Sequence, residues 1–223
     1  MSDTDYTRST HHEFLTATDE ALRDASLQLV LSNLGDTLGK RNRDAWTSFP
    51  QSDALREMAR AVKEQTLAHL DRYLETLETA VHRRGGQVHY ADDGPDACRI
   101  ITDLLKARGV RRVVKSKSMT TEEIHLNEAL EEIGLDVVET DLGEFIIQLA
   151  RQRPSHIVAP ALHMRMPEIH ELLSADAKQT LPETPEDMAA YARGRLREAF
   201  ATAEAGITGG NFVVAETGTV VLI

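Results

Sequence analysis

The chain has 223 residues, of which 41% are hydrophobic and 27% charged, a composition typical of soluble globular proteins. Its formal charge of −11 argues against general affinity for nucleic acid or anionic membranes, so neither is an expected partner. No apolar run approaches the ~18–20 residues of a transmembrane helix, and no signal-peptide hydrophobic region is present, so a cytoplasmic location is expected.

The first hundred residues carry the apolar spacing of helices. The clearest stripe runs over residues 52–81, where Leu55, Val62, Leu70 and Leu77 recur at helical intervals before the Gly85-Gly86 stop. Such a long helix with no sheet of its own is typical of a cap, or of an arm that packs on a domain or another subunit. We therefore expect an N-terminal helical extension.

After Gly86, short apolar segments alternate with helical ones. The predicted strands are residues 87–91, 110–116, 135–140 and 154–161, and the predicted helices are residues 96–109, 120–134, 142–151, 164–175 and 184–206. Strands alternating with helices of ten to fifteen residues indicate crossover connections. The expected fold is α/β: a Rossmann-like, largely parallel sheet with helices on both faces.

The last twelve residues, "FVVAETGTVVLI", predict two strands about a turn at Thr217-Gly218. The second strand stays apolar up to Ile223. Since domains rarely stop within such a strand, a truncated chain is the expectation.

The stretch "VVKSKSMTTEE" concentrates cations in a chain that prefers arginine. Two of the six lysines lie in it, against nineteen arginines elsewhere, and Thr120 with Glu123 fits a capping box. The loop before that helix start could offer amides, hydroxyls and ammonium groups to a phosphate or carboxylate. The proposed ligand-binding residues are Lys115, Ser116, Lys117 and Ser118. The alternative is a solvated loop with capping serines.

Three acids lie at the end of the next predicted strand and just after it: Glu139, Asp141 and Glu144. Glu144 is a further proposed ligand-binding residue. The three acids could pair with Lys115 and Lys117, or one could be a general base if its pKa were raised. A helix cap and surface salt bridges would explain each acid singly.

A glycine-rich loop, "GITGGN", offers close backbone approach together with polar side chains. Its proposed ligand-binding residues are Thr208, Gly209, Gly210 and Asn211. Glu216 follows an apolar strand and is either a half-buried functional carboxylate or the polar tip of a hairpin.

Metal chemistry finds little support. Cys98 is the one cysteine, so the chain can form no internal disulfide and no multi-cysteine metal or cluster site. His163 and His170 are seven residues apart without a zinc-motif carboxylate, and ordinary roles are favoured for His125 and His156 as well.

Several of these segments, in order, resemble the lactate-utilization protein B family and its LUD domain: "VVKSKSMTTEEIHLNEALEEIGLDVVETDLGEFIIQLA", "PSHIVAPALH" and "GITGGNFVVAETGTV". The likeness runs from about Leu67 to Ile223. It implies a fold like that of the sugar-phosphate isomerase and CoA-transferase group. It also implies a role in oxidising L-lactate to pyruvate, within a three-protein system that passes electrons through iron–sulfur clusters.

The resemblance divides the chain into a helical extension over residues 1–66 and a LUD domain over residues 67–223. Full-length family members carry two [4Fe–4S] clusters on a C-terminal ferredoxin-like domain that this sequence lacks, so no cofactor is expected here. The expected partners are the other subunits of the system and a small anion held by the lysine–serine loop, with Glu139, Asp141, Glu144 and Glu216 facing it.

Two other classes stay open. One is an acyl-transfer or isomerase-type enzyme that uses Glu216 as nucleophile or base, with Asp141 and Glu139 as further catalytic candidates; it rests on fold analogy alone. The other is a non-catalytic scaffold that docks partner subunits through residues 52–81. The sequence does not decide whether this domain is itself catalytic.

Overall fold

The computed structural model describes residues 11–152, 154–155 and 159–223. It divides into two compact units, Met1–Ala61 and Val62–Ile223. The elements of the described residues, in chain order, are α1 (His11–Arg23), α2 (Ala25–Ser48), α3 (Ser52–Ala68), α4 (Leu70–Arg83), α5 (Gly94–Ala107), β1 (Arg112–Lys115), α6 (Met119–Glu123), α7 (Leu126–Glu132), β2 (Asp136–Glu139), α8 (Leu142–Ala150), α9 (Met166–Ala177), α10 (Pro185–Thr202), β3 (Ala205–Ile207), β4 (Phe212–Val214) and β5 (Thr219–Val221).

The first unit is helical, as predicted for the N-terminal region. α1 and α2 pack together, and Asp24 between them accepts the backbone N–H of Leu27 at 3.0 Å, which starts α2. The Arg56 guanidinium lies 5.1 Å from the ring centroid of Trp46. Within residues 11–152, 154–155 and 159–223, none of the helices combines the length and the hydrophobicity of a membrane-spanning segment.

The predicted helix over residues 52–81 is two helices. His69 has φ −132° and ψ 36°, outside the helical region, so α3 ends at Ala68 and α4 begins at Leu70. α3 has no buried residue, and Leu55, Met58 and Val62 are exposed. The docking hypothesis for this segment therefore remains a prediction.

The second unit is built on a three-stranded parallel sheet in the order β2-β1-β3. Parallel strands joined through helices confirm the predicted α/β class. One hydrophobic cluster includes Val113 of β1 and Val137 of β2 with Leu126 and Leu130 of α7. A second joins α8, α9 and α10 around Phe145, Leu173, Leu181, Met188 and Ala192.

Several predicted boundaries are wrong. Residues 87–91 form no strand, and most of them are exposed. β3 lies where the sequence predicts the end of the last helix and the start of the glycine loop. The difference arises because α10 ends at Thr202, and Ala203 has an extended backbone (φ −66°, ψ 141°). Part of the predicted strand over residues 154–161 lies outside the described residues.

The C-terminal hairpin is confirmed. β4 and β5 pair in antiparallel fashion, and Gly218 in the turn has φ +68°, a left-handed conformation that suits glycine. Its apolar side chains are not buried, however: Phe212, Val220 and Leu222 are more than half exposed.

Candidate functional site

The carboxyl ends of β1, β2 and β3 meet at one edge of the parallel sheet, where ligands of open α/β folds bind. The segments that follow these three strands line one open cleft of about 760 Å³. We call it the first cleft; its lining residues are Ser116, Lys117, Ser118, Met119, Thr120, Thr140, Asp141, Thr208, Gly209, Gly210, Asn211, Leu222 and Ile223. Seven of the nine predicted ligand-binding residues are thus brought together.

The first wall of the cleft is fixed by the pairing of β1 with β3. The Ser116 N–H continues the ladder by donating to Ile207 O at 2.9 Å, and the Ser116 hydroxyl donates to Thr208 Oγ1 at 2.8 Å. Gly209 packs closely against the same loop, since a Cβ there would lie 3.4 Å from Ser118 Oγ.

Asn211, a lining residue of the cleft, forms hydrogen bonds with the C-terminal hairpin. Its backbone N–H donates to Val221 O at 3.0 Å, and its Oδ1 accepts the N–H of Ile223 at 2.9 Å. Its position is therefore explained by hairpin structure, while its side chain also lines the cleft.

The first helix after the lysines starts earlier than predicted. Ser118, not Thr120, is the N-cap, and its Oγ accepts the Thr121 N–H at 3.4 Å. The predicted helix is also broken at His125, which has φ 56° and ψ 42°. Ser118 is thus both a cap and a lining residue of the first cleft.

Asp141 is the N-cap of α8. Its Oδ1 accepts the N–H groups of Gly143 at 3.0 Å and of Glu144 at 3.2 Å. This is the helix-cap role that the sequence offered as an alternative to ligand binding. The carboxylate also lines the cleft, so it can accept a hydrogen bond from a ligand hydroxyl.

Lys115 does not belong to the first cleft. Its side chain is 1% exposed and forms an ion pair with Glu139 at 2.7 Å, and its Nζ also donates to Thr121 Oγ1 at 3.1 Å. Two facts explain this burial: Lys115 shares a strand face with the core residue Val113, and the β1–β2 register places it beside Glu139. The placement of Lys115 as an anion ligand is therefore corrected.

Glu139 and Glu144 are likewise turned inward. Glu139 is 3% exposed and accepts from Asn127 Nδ2 at 2.7 Å in addition to Lys115. Glu144 is 4% exposed and accepts a hydrogen bond from Lys117. Neither glutamate lines the first cleft. Each instead pairs with a lysine, Glu139 with Lys115 and Glu144 with Lys117, which is the second possibility given for them above.

Lys117 is the lysine that lines the first cleft. Its side chain is 23% exposed, and its Nζ contacts Glu144 and lies 3.7 Å from Glu122 Oε1. The charged residues of the cleft wall are thus one lysine and one aspartate, Lys117 and Asp141. This balance differs from the predicted anion site, in which both Lys115 and Lys117 contact the ligand.

Glu216 stands apart from these groups. It lies in the exposed turn between β4 and β5 and does not line the first cleft. The hairpin-tip interpretation fits this position, and the reading as a half-buried nucleophile or base has no geometric support.

Sequence reasoning missed Thr121, Glu122 and Asn127. Thr121 Oγ1 accepts from Lys115 and donates to Ser118 O at 2.8 Å, and Glu122 approaches Lys117. The sequence signal for the Lys117–Glu122 contact was their spacing of five residues across a helix start. That spacing alone does not predict a salt bridge, because the distance depends on how α6 begins.

The residues present do not fit an iron–sulfur cluster. Cys98 is buried, donates its thiol to Ile124 O at 3.2 Å, and has a pKa raised by burial. In the described part of the chain, no group of three His, Cys, Asp or Glu side chains is placed to hold a metal ion. His163 contacts Gln152 Oε1 at 2.7 Å and His170 contacts Leu181 O at 2.7 Å, while His156 lies outside the described residues.

Comparison with known proteins defines the class. Residues 74–223 match the LUD domain, and the chain belongs to the LUD-domain family. It is 42% identical to "Lactate utilization protein B" of Bacillus pumilus over 205 residues, covering 92% of this chain and 43% of that protein.

Two further relatives agree. "Lactate utilization protein B" of Lysinibacillus sphaericus is 38% identical over 217 residues, covering 97% of this chain and 46% of that protein. "Uncharacterized electron transport protein YkgF" of Escherichia coli K12 is 38% identical over 216 residues, with the same coverage of each chain. The chain spans about half the length of the curated relatives it matches. No solved structure matches it significantly.

Proposed function

We propose that this chain is the LUD domain of a protein that takes part in oxidising L-lactate to pyruvate, and that the first cleft holds the small carboxylate. The names of the relatives support the pathway. The observation that carries the binding site is the convergence of Lys117, Asp141 and the Ser116–Thr208 hydroxyl pair on one cleft.

A 2-hydroxy acid matches the chemistry of these walls. Its carboxylate would accept from Lys117 Nζ and from the Thr208 hydroxyl, because ammonium and hydroxyl groups donate. Thr208 accepts from Ser116 and donates to Gly209 O at 3.2 Å, so its hydroxyl would rotate from that carbonyl to the ligand. Its hydroxyl would donate to Asp141, and its methyl group would face the apolar side of the cleft near Met119 and Leu222. The cleft is larger than a three-carbon acid, so the ligand would occupy the end at Lys117.

We place electron transfer outside this chain. The two [4Fe–4S] clusters expected in full-length family members, and the partner subunits of the lactate-utilization system, would accept the electrons outside the present chain. The name of the Escherichia coli relative, an electron transport protein, is consistent with this division. Within this chain, the proposed work is binding and orienting the acid.

The test is a calorimetric titration of the purified chain with L-lactate and with propionate, which lacks the hydroxyl. We expect saturable L-lactate binding and weaker propionate binding. Lys117→Met should weaken L-lactate binding by about tenfold or more, since a hydrogen bond to a charged group contributes ~1.5–3 kcal/mol.

Lys106→Met is the matched control, because Lys106 lies in the last turn of α5, is exposed and is not in the cleft wall. It should leave the titration unchanged. An equal loss in both variants would show a general charge effect, and a chain that binds neither acid would contradict the proposal.

A further inference from the structure

A second cleft of the same unit, about 840 Å³, shares no lining residue with the first. It lies among α6, α7, the end of β2 and α8. Its wall includes Thr121, Glu122, His125, Asn127, Glu128, Glu131, Glu139, Glu144, Gln148 and Arg151.

The wall of the second cleft is rich in negatively charged residues, unlike the wall of an anion-binding site. Five glutamates line it, against the single guanidinium of Arg151. Lys115 and Lys117 offset Glu139 and Glu144 from behind the wall. The remaining acids give the cleft a negative field, which favours a cationic ligand.

Three buried oxygen atoms of this wall have no hydrogen-bond partner among the described residues: Glu122 Oε1, Asn127 Oδ1 and Glu139 Oε2. Glu122 Oε1 lies 3.7 Å from Lys117 Nζ, so it has a cation near it but no donated hydrogen bond. Glu139 is 3% exposed, and its other oxygen is occupied by Lys115 and Asn127. Because Asn127 donates its Nδ2 to Glu139, its Oδ1 remains as an acceptor. Buried acceptors without donors are unfavourable, so their grouping indicates an absent donor.

We infer that the second cleft binds the primary ammonium group of a small organic amine. An ammonium group has three N–H donors and no acceptor, which matches a wall that holds three buried acceptors without a hydrogen-bond donor. In the part of the chain that the structure describes, no group of three His, Cys, Asp or Glu side chains is placed to hold a metal ion, so the donor set favours an organic cation.

The state of Glu122 agrees with this assignment. Burial, and then the nearby Glu144 carboxylate, raise the pKa of Glu122, although Lys117 opposes the shift. An ammonium group beside Glu122 would stabilise the ionised carboxylate.

The experiment is a titration of the ¹⁵N-labelled chain, followed by the side-chain amide resonances of Asn127. The probes are n-butylammonium and tetramethylammonium, which have the same charge but differ in N–H donors. We expect n-butylammonium to shift the Asn127 resonances saturably and tetramethylammonium to leave them in place.

Glu122→Gln should weaken n-butylammonium binding about tenfold, as expected for loss of a charge-assisted hydrogen bond. Glu123→Gln makes the same change of charge one residue along, on an exposed side chain that does not line the cleft, and should have no effect. Unchanged backbone spectra establish that both variants are folded.

The inference is overturned if the two probes shift Asn127 equally, if both variants lose affinity equally, or if no saturable shift occurs. It is also overturned if Mg²⁺ or Ca²⁺ displaces the amine, since the oxygens would then form a metal site.

Discussion

The two clefts are built on the same strand ends but have opposite chemistry. The first cleft is lined by Thr140 and Asp141, which follow β2, and its charged residues are one lysine and one aspartate. The second cleft is lined by Glu139 at the end of β2 and by four other glutamates. Lys115 and Lys117 are two residues apart, and each pairs with an acid of the second cleft, Glu139 and Glu144. Lys115 is 1% exposed and does not line the first cleft, whereas Lys117 is 23% exposed and lines it. Position relative to the sheet, rather than residue type, decides what each lysine does.

The largest effect is expected for Lys115→Met. Removing the ammonium group leaves the Glu139 carboxylate buried beside the cleft without its cation, which costs about 3–5 kcal/mol of unfolding free energy. Hydrogen exchange of the Val113 and Val114 amides measures this in the second unit; Trp46 fluorescence reports on the first unit instead.

The double variant Lys115→Met/Glu139→Leu is the control for this result. An apolar pair of similar volume should recover most of the lost stability, because replacing a buried ion pair entirely is often neutral. A double variant as unstable as Lys115→Met would show that packing, not charge, holds this position.

Lys117→Met should cost less, about 1–3 kcal/mol, although it also leaves a buried carboxylate, Glu144. Lys117 is 23% exposed, so water compensates part of the loss. The same exchange measurement gives the ranking, and an equal or larger effect than that of Lys115→Met would contradict the assigned difference between the two lysines.

Gly143→Ala tests whether one helix positions both clefts. A Cβ at Gly143 would lie 2.7 Å from Pro160 Cγ, a rigid ring, so either α8 or the segment of Pro160 must shift. A shift of α8 would carry Asp141 and Glu144 with it. We expect about 1–3 kcal/mol of destabilisation, with weaker L-lactate and n-butylammonium binding, measured by exchange and titration.

Gly194→Ala in α10 is its matched control. Nothing lies within 4 Å of the added Cβ, so this variant should be neutral or more stable by roughly 0.5–1 kcal/mol. If Gly143→Ala behaves as Gly194→Ala does, the contact with Pro160 does not fix α8.

Glu122→Gln gives the smallest change and a definite pH dependence. The folded pKa of Glu122 lies above its ordinary value of 4.5, so folding favours the protonated form, and ionisation lowers stability as pH rises through the folded pKa. The variant should be more stable at neutral pH by less than about 1 kcal/mol. The difference should vanish below pH 4.5 in urea unfolding curves, and a gain that persists there would contradict this cause.

The sequence predicts the parts of this molecule that depend on local rules. The α/β alternation, the Thr217-Gly218 hairpin turn and the convergence of the lysine–serine and glycine loops follow from periodicity, turn residues and the topology of parallel sheets. The burial of Lys115 also had a signal, since it lies two residues after Val113 and therefore on the same strand face.

The remaining features depend on tertiary structure. Whether Glu139 pairs with Lys115 or faces a ligand is set by the β1–β2 register, which no local pattern specifies. β3 is three residues long and contains Gly206, so its strand signal is weak. The second cleft arises where α6 and α7 break at His125, a break that the helical pattern does not show.

The central claim is that Lys117 presents its ammonium group to a hydroxy acid in the first cleft. A crystal structure of the chain soaked with L-lactate tests it most directly. Density for the acid should lie in the first cleft, with its carboxylate within hydrogen-bonding distance of Lys117 Nζ and its hydroxyl toward Asp141. Solvent alone in that cleft, at a lactate concentration that saturates the calorimetric titration, would contradict it.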